Sequence, residues 1–127
     1  MNENLKNKIT KYEKLKEKRI KKYNEEMSII KKIINVLEKF SKINEMDTFE
    51  TIVFKKYLEL ENVSKVAKYV NELGYRIKTN SYIGERKYNG TDITEILIKD
   101  NVKVEDELKE VVKYLQDKNY NNMLKTF

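Results

Sequence analysis

The sequence predicts a mainly α-helical protein with one small two-stranded β-ribbon and a long helix at its N-terminal end. Two observations predict it. From Asn4 to about Lys42 there is no Pro and no Gly, and apolar residues recur at heptad spacing. From Asn62 to Ile98 the pattern changes to short periodic segments punctuated by Gly74, Gly84 and Gly90.

The long helix comes first. Ile9, Lys16, Tyr23, Ile30 and Leu37 fall seven apart, and Leu5, Tyr12, Arg19, Glu26, Ile33 and Phe40 form the companion row. Such a double row is the seam of a coiled-coil-like helix. Lys16, Arg19 and Glu26 interrupt it together in the middle, so the seam is weak there. Met27, Ile29, Ile34 and Val36 widen the apolar face of the second half. That width points to packing in a core or in a homodimer, with Ile30, Ile33, Ile34, Leu37 and Phe40 as the dimerisation residues. The first half reads as a solvated, projecting basic arm.

A break at Asn44–Asp47 follows, with Asp47 or Thr48 as N-cap of the next helix. That helix runs from Thr48 to about Leu60, with Phe49, Ile52, Val53, Tyr57 and Leu60 on one face. Asn62 caps a further helix, Val63 to Leu73, which turns Val66, Ala67, Val70 and Leu73 inward. Gly74 suits the left-handed position that closes it. Tyr75–Lys78 alternates as a strand, Thr79–Ser81 turns, and Tyr82–Tyr88 returns with a bend at Gly84. Asn89-Gly90 marks a turn, and Asn89 or Thr91 caps a helix of about Asp92–Lys99 with Ile93, Ile96 and Leu97 inward. The last helix, about Val104–Asp117, places Val104, Leu108, Val111, Val112 and Leu115 on one face. Glu105, Asp106 and Glu107 suit the positive end of its dipole. Asn119–Phe127 reads as a tail in which Met123, Leu124 and Phe127 can dock. The expected division is therefore residues 1–43 (arm and dimerisation), 47–118 (a compact module) and 119–127.

Composition bounds the chemistry. The chain has 127 residues, no Cys and no His. Disulfides, thiolate metal sites, the commonest general base and the commonest zinc ligand are thereby excluded. No pair of carboxylates converges at a useful spacing, so neither an enzyme nor a cofactor or metal site is expected. No apolar run approaches the roughly 20 residues that span a bilayer. MNENLKNKITKY lacks the apolar core of a signal peptide, so a cytoplasmic protein without membrane contact is expected.

The net charge is +6. Its distribution says more than its total, because a chain rich in Lys, Asn, Ile and Tyr together reflects AT-rich coding as well. Residues 1–40 hold 12 basic and 6 acidic side chains, and residues 63–90 hold 6 and 2. Residues 41–62 hold 3 and 5, and residues 91–127 hold 6 and 8. Positive charge collects in the long helix and around the ribbon.

Helix, Gly stop, basic ribbon and second short helix follow one another in the order of a winged helix-turn-helix. Arg76, Lys78, Arg86 and Lys87 cluster on the ribbon with Tyr75, Tyr82 and Tyr88. Arg, Lys and Tyr of this kind bind phosphates, which makes double-stranded DNA the expected partner. A surface hairpin with ordinary solvated charges is the plainer alternative.

Gly84–Ile98, GERKYNGTDITEILI, resembles the wing-and-helix signature of MerR-type and excisionase-type DNA-binding domains in Gly84, Arg86, Tyr88, Asp92, Ile93, Leu97 and Ile98. Upstream, VSKVAKYV at Val63–Val70 resembles that family's first helix. The resemblance covers about Asn62 to Ile98. It implies that Arg86 and Tyr88 bind the DNA backbone and that Asp92 opens the next helix. The segment NELGYRIKTNS is short for the family's recognition helix, and the family's dimer helix follows the module rather than preceding it. VAKYVNELG with KYNGTDITEIL is also similar to the DNA-binding segment of large serine recombinases, in which the last helix enters the major groove. Asp92 and Glu95 would face phosphates there, so the helix at Val63–Leu73 is the favoured reader, through Ser64, Lys65, Lys68 and Asn71.

These readings make the chain a small dimeric DNA-binding protein, as a transcriptional regulator or a plasmid or phage accessory factor in partition, transfer or excision. The alternative is a coiled-coil protein–protein interaction module, with a protein partner on the N-terminal helix and no nucleic acid.

Overall fold

The computed structural model describes residues 2–82 and 84–117, so the expected docking of Met123, Leu124 and Phe127 lies outside the described residues. The elements are α1 (Glu3–Lys39), α2 (Phe49–Leu60), α3 (Val63–Glu72), β1 (Ile77–Lys78), β2 (Glu85–Arg86), α4 (Gly90–Ile98) and α5 (Asp106–Gln116). The protein is mainly helical, with one small antiparallel sheet and a long N-terminal helix. Among the described residues no helix is long and apolar enough to cross a membrane.

Two compact units divide between Asn35 and Val36. The expected boundary lay in the loop after residue 43. It moves into α1 because the last turn of that helix supplies Val36 and, just beyond it, Phe40 to the second unit's core. Phe40 was expected in a dimer interface. Its ring is instead buried, with the ammonium of Lys55 6.0 Å from its centre.

The first unit is α1 up to Asn35. Asn2 opens the helix, its Oδ1 accepting from the Leu5 N–H at 2.9 Å. Leu5, Ile9, Tyr12, Leu15, Ile20 and Tyr23 are all exposed.

The second unit packs α3, α4 and α5 around α2, with α3 and α4 also against each other. Val53, Phe54, Val66, Val70, Ile93, Leu97, Leu108, Val111 and Val112 form its fully enclosed centre. α2 is buried more widely than one amphipathic face requires, through Ile52, Val53, Phe54, Lys55, Tyr57 and Leu58. Phe54 and Leu58 escape a single-face reading because three other helices contact α2 from different sides. Leu73 was expected inward but is exposed at the end of α3, where the chain already turns away.

Thr48 is the N-cap of α2, its Oγ1 accepting from the Thr51 N–H at 3.2 Å. Asp47 is thereby free for another task. Its carboxylate accepts from the Lys55 ammonium at 2.7 Å and from the Asn44 N–H at 2.9 Å. Lys55 also donates to the Lys42 carbonyl at 2.9 Å, so one buried cation closes the loop between α1 and α2. Burial pushes the Asp47 carboxyl upward. The hydrogen bonds from Lys55 and Asn44, with the charge of Lys55, outweigh it and hold the group below the usual carboxylate range.

Asn62 caps α3 as expected, accepting from the Lys65 N–H at 3.0 Å. Gly74 closes that helix at φ +98°, and the Tyr75 N–H reaches back to the Val70 carbonyl at 3.1 Å. The ribbon is shorter than expected. Among the described residues only Ile77–Arg86 and Lys78–Glu85 pair, and the Thr79 N–H to Gly84 carbonyl bond at 2.9 Å closes the loop. Tyr82, expected to start the return strand, projects into solvent.

Candidate nucleic-acid interface

Asn89 and Asp92 form a reciprocal cap on α4: Asn89 Oδ1 accepts from the Asp92 N–H at 3.0 Å, and Asp92 Oδ2 accepts from the Asn89 N–H at 2.9 Å. The helix therefore starts at Gly90, two residues before the expected Asp92. A side chain at Gly90 would come within 3.1 Å of both Ser64 Oγ and Val63 Cγ2. Glycine here lets the first turns of α3 and α4 meet.

An open groove of about 590 Å³ runs between them. Ser64, Lys68 and Asn71 line it from α3, and Lys87, Tyr88 and Asn89 from the chain leaving β2. Arg76 also borders it, with Glu72 as its acidic member. Sequence spacing had not linked Glu72, Asn89 or Gly90 to the basic residues. Only the α3–α4 packing brings them together.

The expected site residues separate into two groups. The first is built into the scaffold. Asn71 holds the backbone of Tyr88 at both ends: its Oδ1 accepts from the Tyr88 N–H at 2.8 Å and its Nδ2 donates to the Tyr88 carbonyl at 2.9 Å. With both ends of its amide engaged, Asn71 has no spare hydrogen-bonding edge like that of a base-reading Asn. Arg86 makes a two-pronged contact with Asp92 at 2.7 and 2.8 Å and also donates to the Lys87 carbonyl. The Arg86 hydrogen bond, opposed by burial and aided by the Asn89 N–H and the Arg86 charge, holds the Asp92 carboxyl below its usual range. Arg86, expected as a backbone phosphate contact, thus ties the ribbon to the start of α4.

Tyr88 packs its ring on Phe49 at 5.0 Å between centres, and Phe49 also meets Tyr75 at 4.6 Å. Burial, followed by the Asp92 and Glu50 carboxylates, pushes the Tyr88 phenol upward, so it stays a neutral hydroxyl at physiological pH. Arg76 donates to the Asn71 and Tyr75 carbonyls at 2.9 and 2.7 Å, anchoring the entry to β1.

The second group is unengaged. Lys65, Lys68, Lys78 and Lys87 are exposed, and their ammonium groups have no hydrogen bond or ion pair among the described residues. Ser64 is exposed at the α3 end of the groove. A surface of this kind offers mobile positive charge beside polar groups held by a rigid frame.

The chain matches no protein-family model, and comparisons with curated proteins and with solved structures returned no match.

Proposed function

We propose that the second unit is a winged helix-turn-helix module of the MerR and excisionase kind that binds double-stranded DNA. α2 and α3 are the helix pair, joined through Glu61 and Asn62 alone, and β1–β2 is the wing. The observation that carries this reading is the division of the basic residues. Arg76 and Arg86 stiffen the wing, while Lys68 and Lys87 line one groove with their ammonium groups open to phosphates, and Lys65 and Lys78 are exposed on α3 and β1. Ser64 and Lys68 are the residues of α3 best placed to approach bases, and Tyr88 contributes through its fixed backbone and ring. The protein serves as a cytoplasmic regulator or as a plasmid or phage accessory factor acting on DNA.

A fluorescence-anisotropy titration against mixed-sequence duplex at stepped salt tests the proposal. Binding at about 50 mM salt is expected, with log K falling by about 0.9 per phosphate contact for each unit of log salt. Lys68→Ala with Lys87→Ala removes about two contacts' worth of that slope. No binding to any duplex at low salt, with the fold intact by circular dichroism, would leave the module to protein–protein contacts.

A further inference from the structure

Sequence-specific reading of duplex DNA relies on side chains that offer a pair of hydrogen bonds to one base edge: Arg to guanine, Asn or Gln to adenine. The chain holds 24 Lys but only three Arg, Arg19, Arg76 and Arg86, and one Gln, Gln116 at the end of α5. In the second unit, the residues of this kind at the α3–α4 groove are committed to the protein itself. Asn71 has both ends of its amide on the Tyr88 backbone. Asn89 Oδ1 accepts from the Asp92 N–H, which turns that face of its amide onto α4. Arg76 is half-buried and donates from Nη1 to the Asn71 and Tyr75 carbonyls. Arg86, on the adjoining ribbon, closes both prongs of its guanidinium on Asp92. What the groove leaves open is of another kind: the ammonium groups of Lys68 and Lys87 and the exposed hydroxyl of Ser64.

Given duplex DNA as the partner, the reading on which this rests, we propose that the groove takes the phosphodiester backbone and that the second unit binds duplex with almost no preference for sequence. Every nucleotide carries the same phosphate, and an ammonium on a flexible four-carbon stem follows it at any step. A Ser hydroxyl both donates and accepts, so Ser64 pairs with either kind of base-edge atom and discriminates poorly. Lys68 can reach guanine N7 and O6, which confines any residual preference to a single base pair. Glu72 is the acidic member of the groove and opposes the same phosphates. The carboxylate at the start of α4 does not add to that repulsion, because Arg86 is paired with Asp92. The bonds that make the frame rigid thus remove its base-reading side chains, and the groups left over are those that bind any sequence.

Selection by the full-length chain from a random-sequence duplex library tests this. The selected duplexes, an A·T-only duplex and a G·C-only duplex then compete against labelled mixed-sequence duplex at about 50 mM salt. Selection is expected to enrich no common motif, and all competitors to bind within about tenfold of one another, whereas a sequence-reading protein separates its site from other duplex by about a thousandfold or more. Lys68→Ala and Lys87→Ala should each weaken binding to every duplex by one common factor and lower the slope of log K against log salt by about 0.9. Glu72→Gln should tighten binding to every duplex alike. Circular dichroism checks that each variant is folded. A selected sequence bound more than about tenfold tighter than mixed duplex overturns the proposal and leaves the DNA reading standing. So does a Lys68→Ala loss confined to duplexes that contain guanine. No binding to any duplex overturns both.

Discussion

The two units solve the problem of polar side chains in opposite ways. In the second unit those at the caps, the α1–α2 loop and the ribbon are engaged: Asn62, Asn71, Asn89, Asp47, Asp92 and Arg86 each satisfy a backbone group or an opposite charge. In residues 2–25 the apolar residues of the helix, Leu5, Ile9, Tyr12, Leu15, Ile20 and Tyr23, are exposed, and the Lys16 and Arg19 side chains between them have no ion pair among the described residues. The second unit thus carries within itself what specifies its fold, whereas the first half of the helix leaves its apolar row uncovered. Losses of stability should therefore be concentrated in the second unit.

The largest test of that contrast is Phe54→Ala set beside Tyr12→Ala. Phe54 is enclosed at the centre of the second unit, and its truncation should cost about 3–5 kcal/mol in urea unfolding. Tyr12 is open, and its truncation should change the stability of the second unit by less than about 0.5 kcal/mol. A large loss of second-unit stability from Tyr12→Ala would show that the two regions are not independent in this sense.

The Asp47–Lys55 pair sharpens the comparison next. Its side chains are 13% and 7% exposed, so removing the acid strands a buried cation. Asp47→Asn should cost about 3 kcal/mol, well above the effect of changing an exposed charge on α1. The pH dependence has a definite sign. The folded carboxyls of Asp47 and Asp92 lie below their ordinary range, so their contribution is complete above the unfolded value near pH 4 and is lost as the pH falls through the folded one. Urea midpoints at neutral pH and at about pH 3 should therefore fall further for the native chain than for Asp47→Asn. Equal losses would remove Asp47 from the account.

Helices and their caps were legible in the sequence because they are local. The Asn62 cap, the Gly74 stop and the Asn89–Asp92 box each lie within a few residues of what they satisfy. The short ribbon was legible in order and place but not in extent. Its outer residues are anchored by side chains rather than by strand pairing: Arg76 on the Asn71 and Tyr75 carbonyls, and Tyr88 on Asn71. That clamp joins residues 17 apart, a separation at which no periodic pattern is informative. For the same reason the intramolecular partners of Arg86 and Asn71 are invisible in the sequence, where residue type alone suggests contacts to DNA: the groups they bind are assembled only when α3, the ribbon and α4 come together. Asp47 shows the reverse case: two neighbouring residues were both plausible caps, and Lys55, a full two turns into the next helix, decides between them.

The smallest expected effect concerns the one described non-glycine residue in left-handed backbone, Glu61, at φ 45° and ψ 36° between α2 and α3. An L side chain there costs about 1 kcal/mol, and the extra freedom of an unfolded glycine offsets roughly 0.5–1 kcal/mol of any relief. Glu61 also places a negative charge at the C-terminal end of α2, where the helix dipole is negative, worth about 0.3 kcal/mol against it. Glu61→Gly should therefore stabilise the second unit by about 0.5 kcal/mol, read as a rise in the urea midpoint. Glu61→Gln separates the two causes, since it removes the charge and keeps the backbone cost. If Gln matches Gly, the dipole carries the effect; if Gln leaves the midpoint unchanged while Gly raises it, the backbone does. Should both lower it, Glu61 makes a contact that stabilises the α2–α3 turn, and the turn joins the engaged polar groups that distinguish this unit from the open helix before it.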